Sequence, residues 1–324
     1  MKYFESFLAK QLEDFLDYRL SLGYDYENQL SVLRQFDQYV KRTKPEPGPL
    51  SPNFFLTMRS SLKMEPMSVN SVICMARGFF DFMVRKGYYD KNPVRDVPFL
   101  RTNVVAPFIF SPQQTDRLLT AICQSIRKER KFYLKDLTIY MTILLLARCG
   151  MRISEPLRLC LEHYRPEEKS LYIENTKFKK DRLIPVPMAV AIEIDNYLQV
   201  RESLLGTSQN QYLLPGVGLC RLHDQKVRDA FHQAVKAIGL ARPRQVIGNT
   251  VFAKPTPHSL RHSFAVNTLK KIKQRGKSPQ HALPVLAAYM GHVEYRSTAY
   301  YLKFLDAEQR EGLASFVASH PRPS

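Results

Sequence analysis

The sequence predicts a mainly α-helical protein with a small β-hairpin, arranged as two domains. Apolar residues recur at helical spacing through most of the 324 residues. A proline-punctuated stretch, 91–107, has no such period and divides the chain near residue 105. Period-two alternation is confined to 170–187. With 44% hydrophobic residues, a chain of this length can bury a core in each half, which excludes disordered and fibrous classes.

In chain order, Phe4, Phe7, Leu8, Leu12, Phe15, Leu16 and Leu20 share one helical face, and Gly23 is placed to end that helix. Leu30, Leu33, Phe36, Tyr39 and Val40 mark a second helix, stopped by Pro45, Pro47, Pro49 and Pro52. Two more are expected near 53–62 and 69–87, before the linker that begins at about 91. Ser111-Pro112 offers an N-cap with proline at the first helical position, opening a helix through Leu118, Leu119 and Ile122. Helical patterns then dominate except at 170–187, where Leu171 and Ile173, then Leu183, Ile184 and Val186, flank a basic turn, Lys177 to Arg182.

Charge narrows the class of partner. Lys and Arg number 48 against 30 Asp and Glu, a net charge of +18. Residues 1–105 hold 15 basic and 12 acidic side chains, which leaves 33 and 18 for 106–324. These charges are interleaved with apolar residues, so the basic surface belongs to a folded domain and suits a polyanion. Five cysteines without a Cys-x-x-Cys pair argue against a disulfide framework or a zinc site and point to a reducing compartment. The N-terminus lacks the apolar core of a signal peptide, and runs such as 143–147 and 285–290 are too short to span a bilayer. A cytoplasmic protein with no membrane partner is expected.

Three separated segments carry the chemistry. They are Ala147-Arg-Cys-Gly-Met-Arg-Ile-Ser-Glu-Pro156, where Gly150 permits a turn and Arg152 is expected to start a helix; His258-Ser-Leu-Arg-His262, which sets His258 and Arg261 on one helical face; and Met290-Gly-His292, with Tyr301 nine residues further on. Taken singly, each describes an ordinary helix surface or a half-buried aromatic. Their order and spacing together resemble the tyrosine recombinases, the lambda-integrase or phage integrase family of site-specific DNA recombinases, over nearly the whole chain.

That resemblance implies an N-terminal helical core-binding domain, 1–105, and a catalytic domain, 106–324, that close on double-stranded DNA. It implies a catalytic set of Arg152, Lys177, His258, Arg261, His292 and Tyr301, with Glu155 in support. The arginines and His292 would bind the phosphate, His258 would manage the proton of the nucleophile, and Lys177 would protonate the leaving 5′-oxygen; Lys179 and Lys180 compete for that last role. Tyr301, with Tyr300 as its rival, would form the 3′-phosphotyrosyl link. Fixed guanidinium forks stabilise charge on the phosphoryl oxygens, so the implied chemistry needs no cofactor, ATP or metal. Four protomers would form the synapse, and the tail, 302–324, would dock on a neighbouring subunit.

The 29 residues between His262 and His292, with the basic stretch 270–277, resemble transposon-associated members, and that stretch is either a DNA-backbone contact or a solvated loop. A type IB topoisomerase or a non-catalytic DNA-binding protein are the alternatives. The target sequence, the direction of recombination and any accessory protein are not encoded legibly in the chain.

Overall fold

The computed structural model describes residues 3–24, 26–46, 48–174, 181–206 and 210–305. Contacts divide the chain into two compact units, Met1–Val104 and Val105–Ser324.

The first unit contains, among the described residues, four helices: α1 (Ala9–Ser21), α2 (Tyr26–Thr43), α3 (Pro52–Ser61) and α4 (Pro66–Arg85). Both α3 and α4 open on proline, whose missing N–H costs nothing in a first turn. Phe15, Phe36, Phe55, Phe79 and Phe80 form an aromatic centre, with most ring pairs edge-on or tilted. Although α4 has the length and composition of a membrane span, it buries Val69, Val72, Ile73, Phe79 and Phe80 in this core. The buried Asp37 carboxylate accepts the backbone N–H groups of Glu5 and Ser6 at 2.8 and 3.0 Å, fixing the segment ahead of α1.

The expected linker is tied down over much of its length. Arg77 on α4 donates to the carbonyls of Val94 and Val97, Asn70 exchanges two hydrogen bonds with Leu100, and Val94 and Val97 are buried. Proline punctuation marks the absence of a helix, and here two side chains of α4 supply the backbone partners that a helix would have given.

The second unit is built on α6 (Arg130–Cys149), packed against α5 (Pro112–Gln124), α7 (Met188–Leu205), α8 (Asp224–Ala237) and α9 (Pro257–Gln274). Helix α5 starts with the expected Ser111 cap, completed into a reciprocal box by Gln114. One antiparallel sheet has the order β2 (Tyr164–Arg165), β3 (Ser170–Ile173) and β4 (Arg182–Pro185), and contains the hairpin expected at 170–187. A second three-stranded sheet, ordered β1 (Val104–Ala106), β6 (Thr250–Phe252) and β5 (Gln245–Ile247), was not expected. Its strands are three residues each, too short for periodicity to reveal, and β1 lies some 140 positions from the other two. Helices α10 (Pro279–Met290) and α11 (Tyr295–Ala299) pack beyond α9 around Ala265, Leu269, Leu283, Leu286 and Tyr301.

Two local expectations change. Arg152 does not start an α-helix: it sits in a turn before a single 3₁₀ turn, Pro156–Arg158, where Pro156 and the contacts of Glu155 stop further winding. The basic stretch 270–277 forms the last turns of α9 and the bend after it, not a loop. Of the expected docking tail, 302–305 is helical with Leu305 buried, and 306–324 lies outside the described residues.

Phe80 is fully buried, with the rings of Phe79, Phe55 and Tyr89 about it at 5.0, 5.2 and 5.0 Å. Phe80→Ala should destabilise the first unit by about 3–5 kcal/mol through lost burial and a residual cavity, read as a lower urea midpoint in far-UV circular dichroism.

Candidate active site

The site is assembled where two helices end. The last carbonyls of a helix have no partner within it and carry the negative end of its dipole. Helix α6 ends at Gly150 and α10 at Gly291, both left-handed, with φ of 59° and 65°. Arg261 on α9 donates through Nη1 to the Gly150 carbonyl at 2.7 Å and through Nη2 to the Met290 carbonyl. Arg152 donates through Nη2 to the Gly291 carbonyl at 2.8 Å. Glycine is required for space as well as for φ: a Cβ at 150 would lie 2.4 Å from the Phe264 ring, and one at 291 would lie 2.8 Å from Nη1 of Arg182. Arg261 is only 1% exposed; burial, with the charge of Arg152, brings it down to about 10, which leaves it cationic at neutral pH.

Glu155 binds the remaining faces of two guanidinium groups. Its carboxylate accepts the backbone N–H and Nη1 of Arg152 at 2.8 and 2.9 Å, and Nη1 and Nη2 of Arg182 at 3.1 and 3.0 Å. Burial opposes ionisation of Glu155, yet the hydrogen bonds and charge of Arg182, joined by the Arg152 amide, hold it below the usual carboxylate range. Arg182 in turn donates through Nε to the Tyr289 carbonyl at 2.9 Å, which ties β4 to α10. The sequence marks Arg182 only as the end of a basic turn, because no helical or strand spacing relates it to Glu155, 27 positions away.

Histidines and the tyrosine form the opposite wall. A cap box of Thr256 and Ser259 starts α9, and its first turns carry His258, Arg261 and His262. Nδ1 of His262 lies 3.0 Å from the Tyr301 hydroxyl, and the His258 ring sits edge-on to that of His262 at 4.5 Å. His292 is held by Thr298, Nδ1 to Oγ1 at 2.7 Å, and its ring stacks over Tyr301 at 6.3 Å. Desolvation, with neighbouring positive charge, brings His258 and His292 down to about 4 and His262 to about 3, although His258 keeps an edge open to solvent. All three rings are therefore neutral at pH 7 and able to accept a proton or a hydrogen bond. Tyr301 is 3% exposed; burial raises its hydroxyl above the usual phenol value while Arg261 and Arg152 pull the other way. Tyr300, the sequence rival, turns its hydroxyl to the Val105 carbonyl.

These groups line a cavity of about 840 Å³ whose wall includes Arg152, His258, Arg261, His262, His292 and Tyr301. The structure thus brings together five of the six residues predicted from sequence. The sixth, Lys177, and its competitors Lys179 and Lys180 lie outside the described residues. His262 is the residue that motif spacing alone does not assign; its signal is the His-x-x-x-His spacing, which stacks both rings on one helical face. Elsewhere, Cys160, Glu162 and His163 place ligand-type atoms within 4.8 Å of one another. Nδ1 of His163 already accepts the Cys160 N–H, which leaves Nε2 as the donor nitrogen, facing Glu162 and Glu174 at 3.9 and 3.8 Å. That tautomer suits a hydrogen-bonded turn and not metal ligation.

Comparison with known proteins agrees with this geometry. Residues 109–308 match the model of the phage integrase family. An integrase/recombinase of Sinorhizobium fredii, y4rE, is 30% identical over 308 residues, covering 93% of both chains. Among solved structures, a lambda integrase tetramer bound to a Holliday junction superposes with a TM-score of 0.62 at 16% identity, over 89% of this chain and 77% of that one. The Tn1549 transposon integrase in complex with circular intermediate DNA gives 0.62 at 17% identity, over 92% and 95%. At such identities the structural likeness speaks for the fold.

Two outcomes follow from the electrostatics. Glu155→Gln removes the anion shared by Arg152 and Arg182 and should cost about 3 kcal/mol in urea unfolding, because it leaves largely buried cations unpaired. The histidines have folded-state values below the unfolded 6.5, so their contribution to stability is complete above pH 6.5 and declines as the pH falls towards 4 and then 3. The melting temperature should accordingly drop between pH 7 and pH 4, and the drop should be smaller in His262→Asn.

Proposed function

Because the chain belongs to the phage integrase family, the tyrosine recombinases, we propose that Tyr301 is the nucleophile with which this site-specific DNA recombinase cuts and rejoins DNA. The observation that carries this reading is the buried Tyr301 hydroxyl, facing a cavity that is lined by two fixed guanidinium groups and three neutral imidazoles.

A phosphodiester bound there places its non-bridging oxygens against Arg152 and Arg261, with His292 as a further donor. Because helix-end carbonyls and Glu155 already hold the forks, little reorganisation remains when negative charge builds up on phosphorus. The Tyr301 oxygen attacks phosphorus, the bond to the 5′-oxygen breaks, and a 3′-phosphotyrosyl link conserves the bond energy. The phenolic proton passes to Nδ1 of His262, with His258 packed beside it; Lys177, in the chain segment between β3 and β4, supplies a proton to the leaving 5′-oxygen. A 5′-hydroxyl from the partner strand then attacks the phosphotyrosine and releases Tyr301 as a phenol. Arginine is favoured over lysine here because a planar fork can meet two oxygens at once.

Around this centre, residues 1–105 serve as the core-binding domain and 106–324 as the catalytic domain on duplex DNA, with the net positive charge concentrated in the latter. Four protomers act in the synapse, a reading supported by the tetrameric lambda integrase neighbour, and the tail, 302–324, links them. The Tn1549 likeness supports a mobile-element setting, and the cytoplasm is the compartment in which such DNA is met.

Tyr301→Phe should abolish covalent capture of a nicked suicide duplex drawn from sites that the protein selects, with DNA affinity within about threefold of wild type, since only one hydroxyl is lost. Tyr300→Phe should still form the adduct. Denaturing gels detect the adduct, and capture by Tyr301→Phe but not by Tyr300→Phe would reverse the assignment.

A further inference from the structure

We propose that the β5–β6 hairpin is a sequence-reading ribbon that enters the major groove of the target duplex beside the scissile phosphate. The inference rests on the recombinase reading above and adds to it a specificity element outside the catalytic cavity.

The register separates the two faces of the hairpin. Gln245 pairs with Phe252, Val246 with Val251 and Ile247 with Thr250, and a two-residue turn, Gly248-Asn249, joins the strands with Gly248 at φ 56°. Cross-strand partners point to the same side. Val251 is 3% exposed but its partner Val246 is 58% exposed, so the hairpin stands out from the domain, with Gln245, Ile247, Thr250 and Phe252 on the side opposite Val251. Ile247 is 64% and Phe252 39% exposed, a poor use of large apolar side chains unless something covers them.

Charge identifies the occupant. Residues 241–254 carry Arg242, Arg244 and Lys254 and no acidic residue, which suits a polyanion better than an apolar protein face. The outer face also has the chemistry of base recognition: an amide that can bond adenine bidentately, a hydroxyl, and apolar groups that can contact thymine methyls. A two-stranded ribbon has the cross-section that the major groove of B-DNA admits.

Position supplies the second line of argument. Strand β6 lies beside β1, whose Val105 carbonyl accepts the Tyr300 hydroxyl, one residue from the nucleophile. With strands about 4.8 Å apart, β5 lies roughly 10 Å from β1, within a few base pairs of the cut.

The test uses the full-length protein and a randomised duplex pool. Wild type should enrich a sequence, and Gln245→Ala/Ile247→Ala should lose preference at two to four adjacent base pairs near the cleavage position, roughly tenfold in affinity for the wild-type site, while binding unselected duplex within threefold. Gln245→Glu should shift one position from adenine towards cytosine, since a carboxylate accepts from the cytosine amino group. Unchanged enrichment in both variants, or a uniform loss on every duplex at unchanged melting temperature, overturns the proposal. If wild type itself enriches no sequence, the recombinase reading falls with it, which is a distinguishable result.

Discussion

The buried carboxylate of Glu155 is the contact on which the rest of the site depends. It neutralises Arg152 and Arg182 at once, and through them it joins the turn after α6, strand β4 and the end of α10. Without that anion, three guanidinium groups would crowd one corner of the fold with mutual repulsion and little solvent to screen it. With it, Arg152 and Arg182 are fixed in direction, and Arg152 keeps its place in the cavity wall.

Helix termini complete the arrangement. Unpaired carbonyls at the ends of α6 and α10 are costly to bury, and so are arginines; each supplies what the other lacks. Left-handed glycines at 150 and 291 let the chain leave each helix without placing a Cβ into Phe264 or Arg182. The arginines of the cavity wall and the helix ends are thus held by one set of hydrogen bonds, so a change that loosens either helix end also moves a guanidinium group of the cavity.

The histidines show the opposite use of burial. Desolvation and nearby arginines keep His258, His262 and His292 neutral, while the same burial keeps the Tyr301 hydroxyl protonated. A protonated tyrosine thus sits beside a neutral ring nitrogen, the Tyr301 hydroxyl lying 3.0 Å from Nδ1 of His262. The exposed β5–β6 hairpin beside β1 is itself uncharged and is flanked by Arg242, Arg244 and Lys254.

Sequence alone determined the helical class, the proline-marked change near residue 105, the basic bias of 106–324 and five of the residues that converge on the cavity. These are legible because helical periodicity, proline and motif spacing are local properties of the chain. Tertiary structure decided what locality cannot express. Arg182 meets Glu155 across 27 positions, β1 joins strands some 140 positions away, and residues 91–100 are fastened by Arg77 and Asn70 where composition suggested a free linker. His262 rather than His258 touches the Tyr301 hydroxyl because the packing of α9 against the chain after α11 sets which ring faces it. Spacing names the residues on a face, and only packing determines which of them meets the tyrosine hydroxyl.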